Sequence, residues 1–387
     1  MKILHTGDWH IGKLVHGKHM TQDQEYVLEQ LVDLLVEEKA EVLIIAGDVY
    51  DRSIPPTEAV ELLDSVLSKI VLDLGIQVIA ISGNHDSADR LDFGSKLLKD
   101  RGLHIVGKLQ QKTEPVVLQD AFGEVRFYPV PYAEPAVVKA LFEKEQSLSH
   151  DEAMKTVLQP ITDGLDENLR NVLIGHSFVV GTEEPERSES ERPLSIGGAE
   201  YVSAGYYTPF DYVALGHLHR PQRVMTERIR YAGSLLKYSF SEADQKKSVT
   251  LIDLKEKGNI EIRQHSLSPR RDLRVITGEL EELMGEDVAA LGNAEDYIQA
   301  VLTDRGTLYE PMQKLRSVYP NVLDLDRIRT EVIGAEGEEV VQMKGKNPIE
   351  LFTEFYGKVT GNGGPEEDAL DYFSQVFQEI EQEERDL

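Results

Sequence analysis

The chain has 387 residues, 41% of them apolar and 28% charged, with a formal net charge of −28 and no cysteine. That length allows two or three domains of ordinary globular composition. The missing cysteines exclude disulfides and thiolate ligands and fit a reducing cytoplasm, and so acidic a chain cannot bind nucleic acid through its overall field. No apolar run approaches the about 18 residues of a membrane span, and Met1-Lys2-Ile3-Leu4-His5 leads into a strand rather than a signal peptide's apolar region. A cytoplasmic protein with no membrane contact is expected.

In chain order, Lys2–His5 reads as a short strand. Thr21–Glu38 carries Val27, Leu28, Leu31, Leu34 and Leu35 as a helical stripe, and Glu41–Ala46 is a second strand. Pro55-Pro56-Thr57-Glu58 opens a helix to about Leu74. Gln77–Ile81 is a third strand and Leu103–Val106 a fourth. This βαβαβ order predicts a parallel sheet with helices on its faces.

From Glu114 the texture changes. Pro115–Leu118 and Glu124–Pro131 join across Ala121-Phe122-Gly123 as an antiparallel pair, and Asp151–Leu165 reads as a helix. Asn171–Gly175, Asp211–Gly216, Arg228–Ala232, Ser248–Leu254 and Ile260–Ser266 read as strands, with a long polar loop at Glu183–Gly198. A second sheet following the first gives a two-sheet α/β sandwich over residues 1–268. Pro269-Arg270-Arg271 marks a boundary, and three strands with helices between them predict a small α+β domain over 269–335. Residues 336–387 read as a polar linker at Glu331–Gly345 leading to C-terminal helices. Asn347-Pro348 opens one to Tyr356 and Gly361-Asn362-Gly363-Gly364-Pro365 breaks it. The acidic end carries Leu370, Phe373, Val376, Phe377 and Ile380 on one face, suited to its own core or to another protein.

The chemistry concentrates at strand ends, where open α/β sheets place their ligands. Asp8 and His10 follow the first strand, Asp48 the second, and Asn84, His85 and Asp86 the third. His176 follows the strand at Asn171–Gly175, and His217 and His219 the strand at Asp211–Gly216. Singly, each signal is weak. Gly-Asp and Gly-His are turns more often than ligands, Asn84-His85-Asp86 also suits an Asx turn, and His217 and His219 alternate like an exposed strand face. Five in succession point to one site.

Imidazoles with carboxylate and amide oxygens suit Mn, Fe or Zn. The expected ligands are Asp8, His10, Asp48, Asn84, His176, His217 and His219. Asp48 is the expected bridge between two divalent cations, a pair that clamps both oxygens of a phosphoryl displacement when about 3.5–4 Å apart. His85, with no ligand's task left, is expected to face the substrate as a catalytic group, with Asp86 orienting its other ring nitrogen. Two divalent ions against Asp8 and Asp48 leave a local charge of about +2, while salt screens the distant charge beyond about 10 Å. Asp51 reads as a supporting or capping residue and His5 as core. Lys13, Arg52, Arg90 and Arg220 read equally as phosphate contacts or solvated loop, and Arg270, Arg271 and Arg274 as DNA contacts or a basic hinge.

Asp-x-His, Gly-Asp-x-x-Asp, Gly-Asn-His-Asp, Gly-His and Gly-His-x-His, in this order, resemble the calcineurin-like metallophosphoesterases. Thr6–Lys13, Ile81–Ser87, Gly216–Gln222, Tyr231-Ala232-Gly233-Ser234 and Ser239-Phe240-Ser241-Glu242 look like one branch of that family, the nuclease subunits of bacterial SbcCD complexes. The resemblance is dense over the first domain and rests on layout alone beyond about residue 270. It implies manganese, exonuclease action on double-stranded DNA ends with ATP supplied by a partner, and endonuclease action on hairpins and single strands. It also implies a DNA-capping role for the small domain, docking of the C-terminal helices on an SbcC-type coiled-coil ATPase, and a homodimer. The acidic tail has no counterpart in that pattern. Two other readings compete: a phosphoesterase acting on phosphoproteins or small phosphodiesters, which needs neither small domain nor tail, and a non-catalytic scaffold, which has no reason to keep every ligand.

Overall fold

The computed structural model describes residues 1–194, 200–328, 347–360, 364–365 and 369–377, with the side chains of 358–360 excepted. The expected linker, Ile380 and the rest of residues 378–387 lie outside the described residues. The chain divides into one unit of residues 1–192 and 201–329 and another of 193–200 and 330–387. No helix among the described residues is long and apolar enough to cross a membrane.

The first sheet is built on β1 (Lys2–Thr6), β2 (Val42–Ala46), β3 (Gln77–Ile81) and β4 (Leu103–Val106), which lie side by side in parallel. Residues 42, 44 and 46 of β2 face one way and 43 and 45 the other, the period-two alternation of a strand. Leu43 and Ile45 join Leu4, Val78 and Ala80 under the helices α1 (Thr21–Glu37) and α2 (Thr57–Ser68). The predicted stripe of α1 is all buried there, each such side chain contributing about 1.5–3 kcal/mol. Val42, Ile44 and Ala46 instead face a second sheet, packing with Phe127, Val172, Ile174, Tyr212 and Ala214. Helices therefore cover one face of this sheet rather than both, because the other apolar face is taken by the second sheet.

The second sheet runs from the edge hairpin β5 (Val116–Asp120) and β6 (Gly123–Val130) through β7 (Arg170–His176) and β8 (Tyr212–Gly216) to β9 (Gln222–Val224) and β10 (Thr226–Tyr231), with β10 lying between β8 and β9. Its strands β6, β7, β8 and β10 are parallel. The strands β11 (Ser248–Leu254) and β12 (Ile260–Ser266), expected in this second sheet, return to the first and pair antiparallel beside β1. β11 has two apolar faces. Val249 and Leu251 join the helix side, while Ile252 and Leu254 join the sandwich interior, so the strand suits an inner place.

A small parallel sheet of β13 (Leu273–Gly278), β14 (Tyr297–Leu302) and β15 (Val322–Arg327) follows within the same unit. Its root is tied to α1, where Tyr297 Oη donates to buried Asp23 at 2.7 Å and Arg271 pairs with Asp23 at 3.2 Å. Arg274 pairs with Asp296 at 2.7 Å. These two cations thus serve the hinge rather than a free surface. In the other unit, Pro348–Thr360 is helical, with Asn347 and Glu350 exchanging capping hydrogen bonds of 2.9 and 3.0 Å. Within that unit Phe373 stacks on Phe352 at 4.3 Å, so the expected apolar face is partly covered by its own neighbour.

Arg170 closes the end of the sandwich where β7 begins. Its guanidinium pairs with Asp120 at 2.6 Å and donates to the carbonyls of Leu254, Lys255 and Gly123. Asp120→Ala strands that buried cation and is expected to cost about 3–5 kcal/mol in urea unfolding. An unchanged unfolding midpoint would contradict this role.

Candidate metal centre

Strand register brings the motifs to one rim. Thr6 lies beside Ile45, Ala46 beside Ile81, and Gly216 beside His176, so the loops after these strands start level with one another. The first two loops then run as a pair. Asp8 N donates to Gly47 O at 3.0 Å, His10 N to Asp48 O at 2.9 Å, and Ile11 N to Val49 O at 3.0 Å. Buried Gln24 of α1 fastens the first loop from below, donating to the carbonyls of Trp9 and His10 and accepting from Gly12 N.

Four of the expected ligands hold left-handed backbone: Asp8 at φ 51°, His10 at 46°, Asp48 at 48° and His217 at 108°. Such conformations cost on the order of 1–3 kcal/mol each and persist where the surroundings over-determine them. Two glycines make the close approach possible. A methyl on Gly83 would collide with Asp48, and one on Gly216 with the Ala46 carbonyl.

The seven expected ligands converge. Asp48 Oδ2 lies 3.5 Å from His10 Nε2 and 3.4 Å from His176 Nε2, between the two rings. Asn84 Oδ1 is 3.0 Å from His176 Nε2 and 3.3 Å from His217 Nδ1. His10 and His219 present their Nε2 atoms to each other at 3.0 Å. Asp8 Oδ1 accepts from His217 N at 2.8 Å, and its carboxylate gathers with Asp48 and His176 so that their donor atoms lie within 4.8 Å of one another. His176 Nδ1 donates to Ala46 O at 2.9 Å, which turns its Nε2 toward Asp48 and Asn84.

The arrangement suits divalent cations by its donors and by what it leaves unmet. Asp8 Oδ2 and His217 Nε2 are buried without a hydrogen-bond partner. Asn84, His176 and His217 suit one cation and His10 and His219 another, with Asp48 between them and Asp8 adjoining. Burial disfavours every charge here. It pushes the Asp8 carboxyl well above the usual carboxylate range, with Asp48 adding to the rise. Burial also opposes Asp48, yet His176, His85 and His10 hold its pKa well below the usual value. For His176, burial opposes protonation, but the Asp48 and Asp8 carboxylates push the ring up to about 9. One imidazole thus takes a proton within a cluster that attracts positive charge.

His85 and Asp86 take places other than those expected of them as a pair. His85 Nδ1 donates to the Asp51 carbonyl at 2.9 Å, and that carbonyl orients the ring. Both Asp86 oxygens are taken by backbone amides, from Val49, Tyr50 and Gly83 at 2.9–3.1 Å. Asp86 therefore braces the second and third loops and does not orient His85; three convergent amides out-compete one imidazole for its oxygens. The His85 ring packs edge-on against His10 at 4.6 Å, and burial lowers its pKa to about 3. Asp51, His10 and His85 also bring donor atoms within 4.8 Å of one another.

Asp51 stands behind His10, its Oδ1 3.5 Å from Nδ1, and Lys13 pairs with it at 2.8 Å. Lys13 is thereby committed to Asp51. Arg220 pairs with Glu186. His5 is a core residue, wedged between the sheets on Tyr212 Oη and Leu215 O. Sequence reasoning passed over Glu191, Glu242 and Lys247. Glu191 Oε1 accepts from His219 N at 2.8 Å, and Glu242 lies 3.2 Å from His219 Nδ1. Glu242 and Lys247 lie far along the chain from His219, and only Glu242 carried any signal, as the last residue of Ser239–Glu242.

Because a cation must displace the His176 proton, Mn uptake is expected to release a proton, and its apparent affinity to rise toward about pH 9 by up to about tenfold per unit. Isothermal titration in buffers of different ionisation enthalpy measures this. Uptake without proton release at pH 7.5 would contradict it.

Comparison with known proteins places this geometry in a family. The calcineurin-like phosphoesterase profile matches residues 1–221. A second profile, described as the type 5 capsule protein repressor C-terminal domain, matches residues 269–360. The chain is 35% identical over 360 residues, 93% of its own length and 94% of the relative's, to the D component of the nuclease SbcCD from Staphylococcus epidermidis. Among solved structures, a dimetal phosphatase from Danio rerio aligns with 69% of this chain and 99% of its own at 13% identity and a TM-score of 0.40. The phosphopantetheinyl hydrolase of Mycobacterium tuberculosis aligns with 68% of this chain and 95% of its own at 17% identity and a TM-score of 0.38. With its first 221 residues matched and 35% identity over 93% of its length to that relative, the chain belongs to the calcineurin-like phosphoesterases.

Proposed function

We propose that the chain is a manganese-dependent DNA nuclease, the hydrolytic subunit of a complex with an SbcC-type ATPase, acting on DNA ends and hairpins in repair or recombination. The observation that carries the reading is the gathering of five loops around Asp48, in a chain 35% identical to a protein named as a component of the nuclease SbcCD. Two divalent cations bound there would neutralise the oxygens of a phosphodiester.

Charge favours such a substrate at this place alone. Asp51 is matched by Lys13 and Glu242 by Lys247, so these buried pairs add nothing to the balance. Asp8, Asp48 and Glu191 remain, and two divalent ions against the three give about +1, felt at close range while salt screens the rest beyond about 10 Å. His85 holds its Nδ1 proton on the Asp51 carbonyl, leaving Nε2 for the substrate. A neighbouring phosphate favours the protonated ring, which then stabilises negative charge or hands a proton to the leaving oxygen.

The C-terminal helices suit a protein partner, since Phe355 and Tyr372 are 65% and 71% exposed there. Phe93 and Leu97, 86% and 83% exposed in the segment after Asp86, suit a second copy of the chain.

The test is cleavage of hairpin and open-ended DNA with Mn, beside a chromogenic small diester. Mn-dependent DNA cleavage is expected; turnover of the diester with intact DNA would reject the nuclease reading in favour of a small-molecule phosphoesterase. His85→Gln is expected to keep its Mn and lose cleavage by at least about 100-fold; loss of Mn would make His85 a ligand. Removal of residues 346–387 is expected to abolish ATPase capture and spare basal cleavage. Undiminished capture would contradict that assignment.

A further inference from the structure

His219 has two ring nitrogens with different surroundings. Nε2 faces His10 at the cluster, while Nδ1 faces Glu242 Oε1 at 3.2 Å and Ser190 Oγ at 2.6 Å. A carboxylate only accepts, so the proton shared with it belongs to Nδ1, and Nε2 keeps its lone pair for a cation. Glu242 is itself fully buried and held at both oxygens. Oε1 also accepts from Ser188 and Ser190, and Oε2 meets Lys247 Nζ at 2.6 Å and Tyr238 N at 3.2 Å. Lys247, 5% exposed, reaches past it to donate to the His219 carbonyl at 2.8 Å. Burial opposes the Glu242 charge, but Lys247 and His219 outweigh it and hold the carboxyl well below its usual range.

A looser arrangement stands behind His10, where Asp51, paired with Lys13, lies 3.5 Å from Nδ1 without a hydrogen bond to it. The other side of the centre lacks it. His176 donates its Nδ1 proton to a neutral carbonyl. A carboxylate behind an imidazole raises its basicity as a ligand more than a neutral carbonyl does.

We infer that Glu242, kept charged by Lys247, is a positioning residue that fixes the His219 proton on Nδ1 and so strengthens the cation position of His10 and His219 over that of Asn84, His176 and His217. The inference rests on the two-cation reading of the centre. In Glu242→Gln the amide can donate to Nδ1, which permits the opposite tautomer and turns a proton toward the cation.

The experiment is titration of the full-length, metal-stripped protein with MnCl2, free Mn being followed by electron paramagnetic resonance. The wild-type chain is expected to bind two ions unequally. Glu242→Gln is expected to weaken one position by about 10–100-fold and leave the other unchanged. Glu242→Gln with Lys247→Gln restores charge balance, guards against a variant that fails through an unpaired lysine, and is expected to show the same loss; Glu242→Asp is expected to recover part of it. Wild-type titration by Glu242→Gln, full recovery in the double variant, or equal weakening of both positions would overturn the inference. A wild-type chain that takes up no Mn would overturn the two-cation reading itself, an outcome visible before any variant is compared.

Discussion

Buried carboxylates without positive charge cost several kcal/mol, and the rim of this sandwich holds two of them, Asp8 and Asp48, within one cluster. Much of the first unit answers that demand. The register of β1, β2 and β3 sets three loops level, and β7 with β8 brings the imidazoles from the facing sheet. The backbone at Asp8, His10 and Asp48 is left-handed, a strained conformation held by the surrounding loops. What the turns cost is offset by the paired loop backbones and by Gln24 and Asp86, which hydrogen-bond to them from either side.

Behind the donors stands a layer of matched charges. Lys13 with Asp51 and Lys247 with Glu242 are each neutral as pairs, so they can stiffen the rings of His10 and His219 without adding to the negative charge of the centre. The molecule is acidic overall, and divalent cations bound at this one small region would be what lets it favour an anion there. Stiffness and local charge are the two properties phosphoryl transfer asks of a protein, since positioning and electrostatics carry most of its catalysis.

The strands and the long helix were legible because their patterns are local. Gln77–Ile81, Leu103–Val106, Ser248–Leu254 and Ile260–Ser266 have the bounds that alternation and apolar runs predict. Their partners were not legible. Nothing in Ser248–Leu254 says that it pairs with β1 rather than with its predecessor in the chain, because both sheets of the sandwich need strands apolar on two sides. The site divides the same way. Donors at strand ends announce themselves by type and place, and all seven lie together. The groups behind them do not. A carboxylate such as Asp86 is equally able to face an imidazole or three amides, and only the fold decides; Glu242 and Lys247 reach His219 through tertiary structure alone.

The central claim is that Asp48 joins two cations. Anomalous diffraction from crystals grown with Mn measures it directly. The account predicts two Mn peaks about 3.5–4 Å apart, both against the Asp48 carboxylate, one beside His10 and His219 and the other beside Asn84, His176 and His217. A single peak, or two that do not share Asp48, would contradict it.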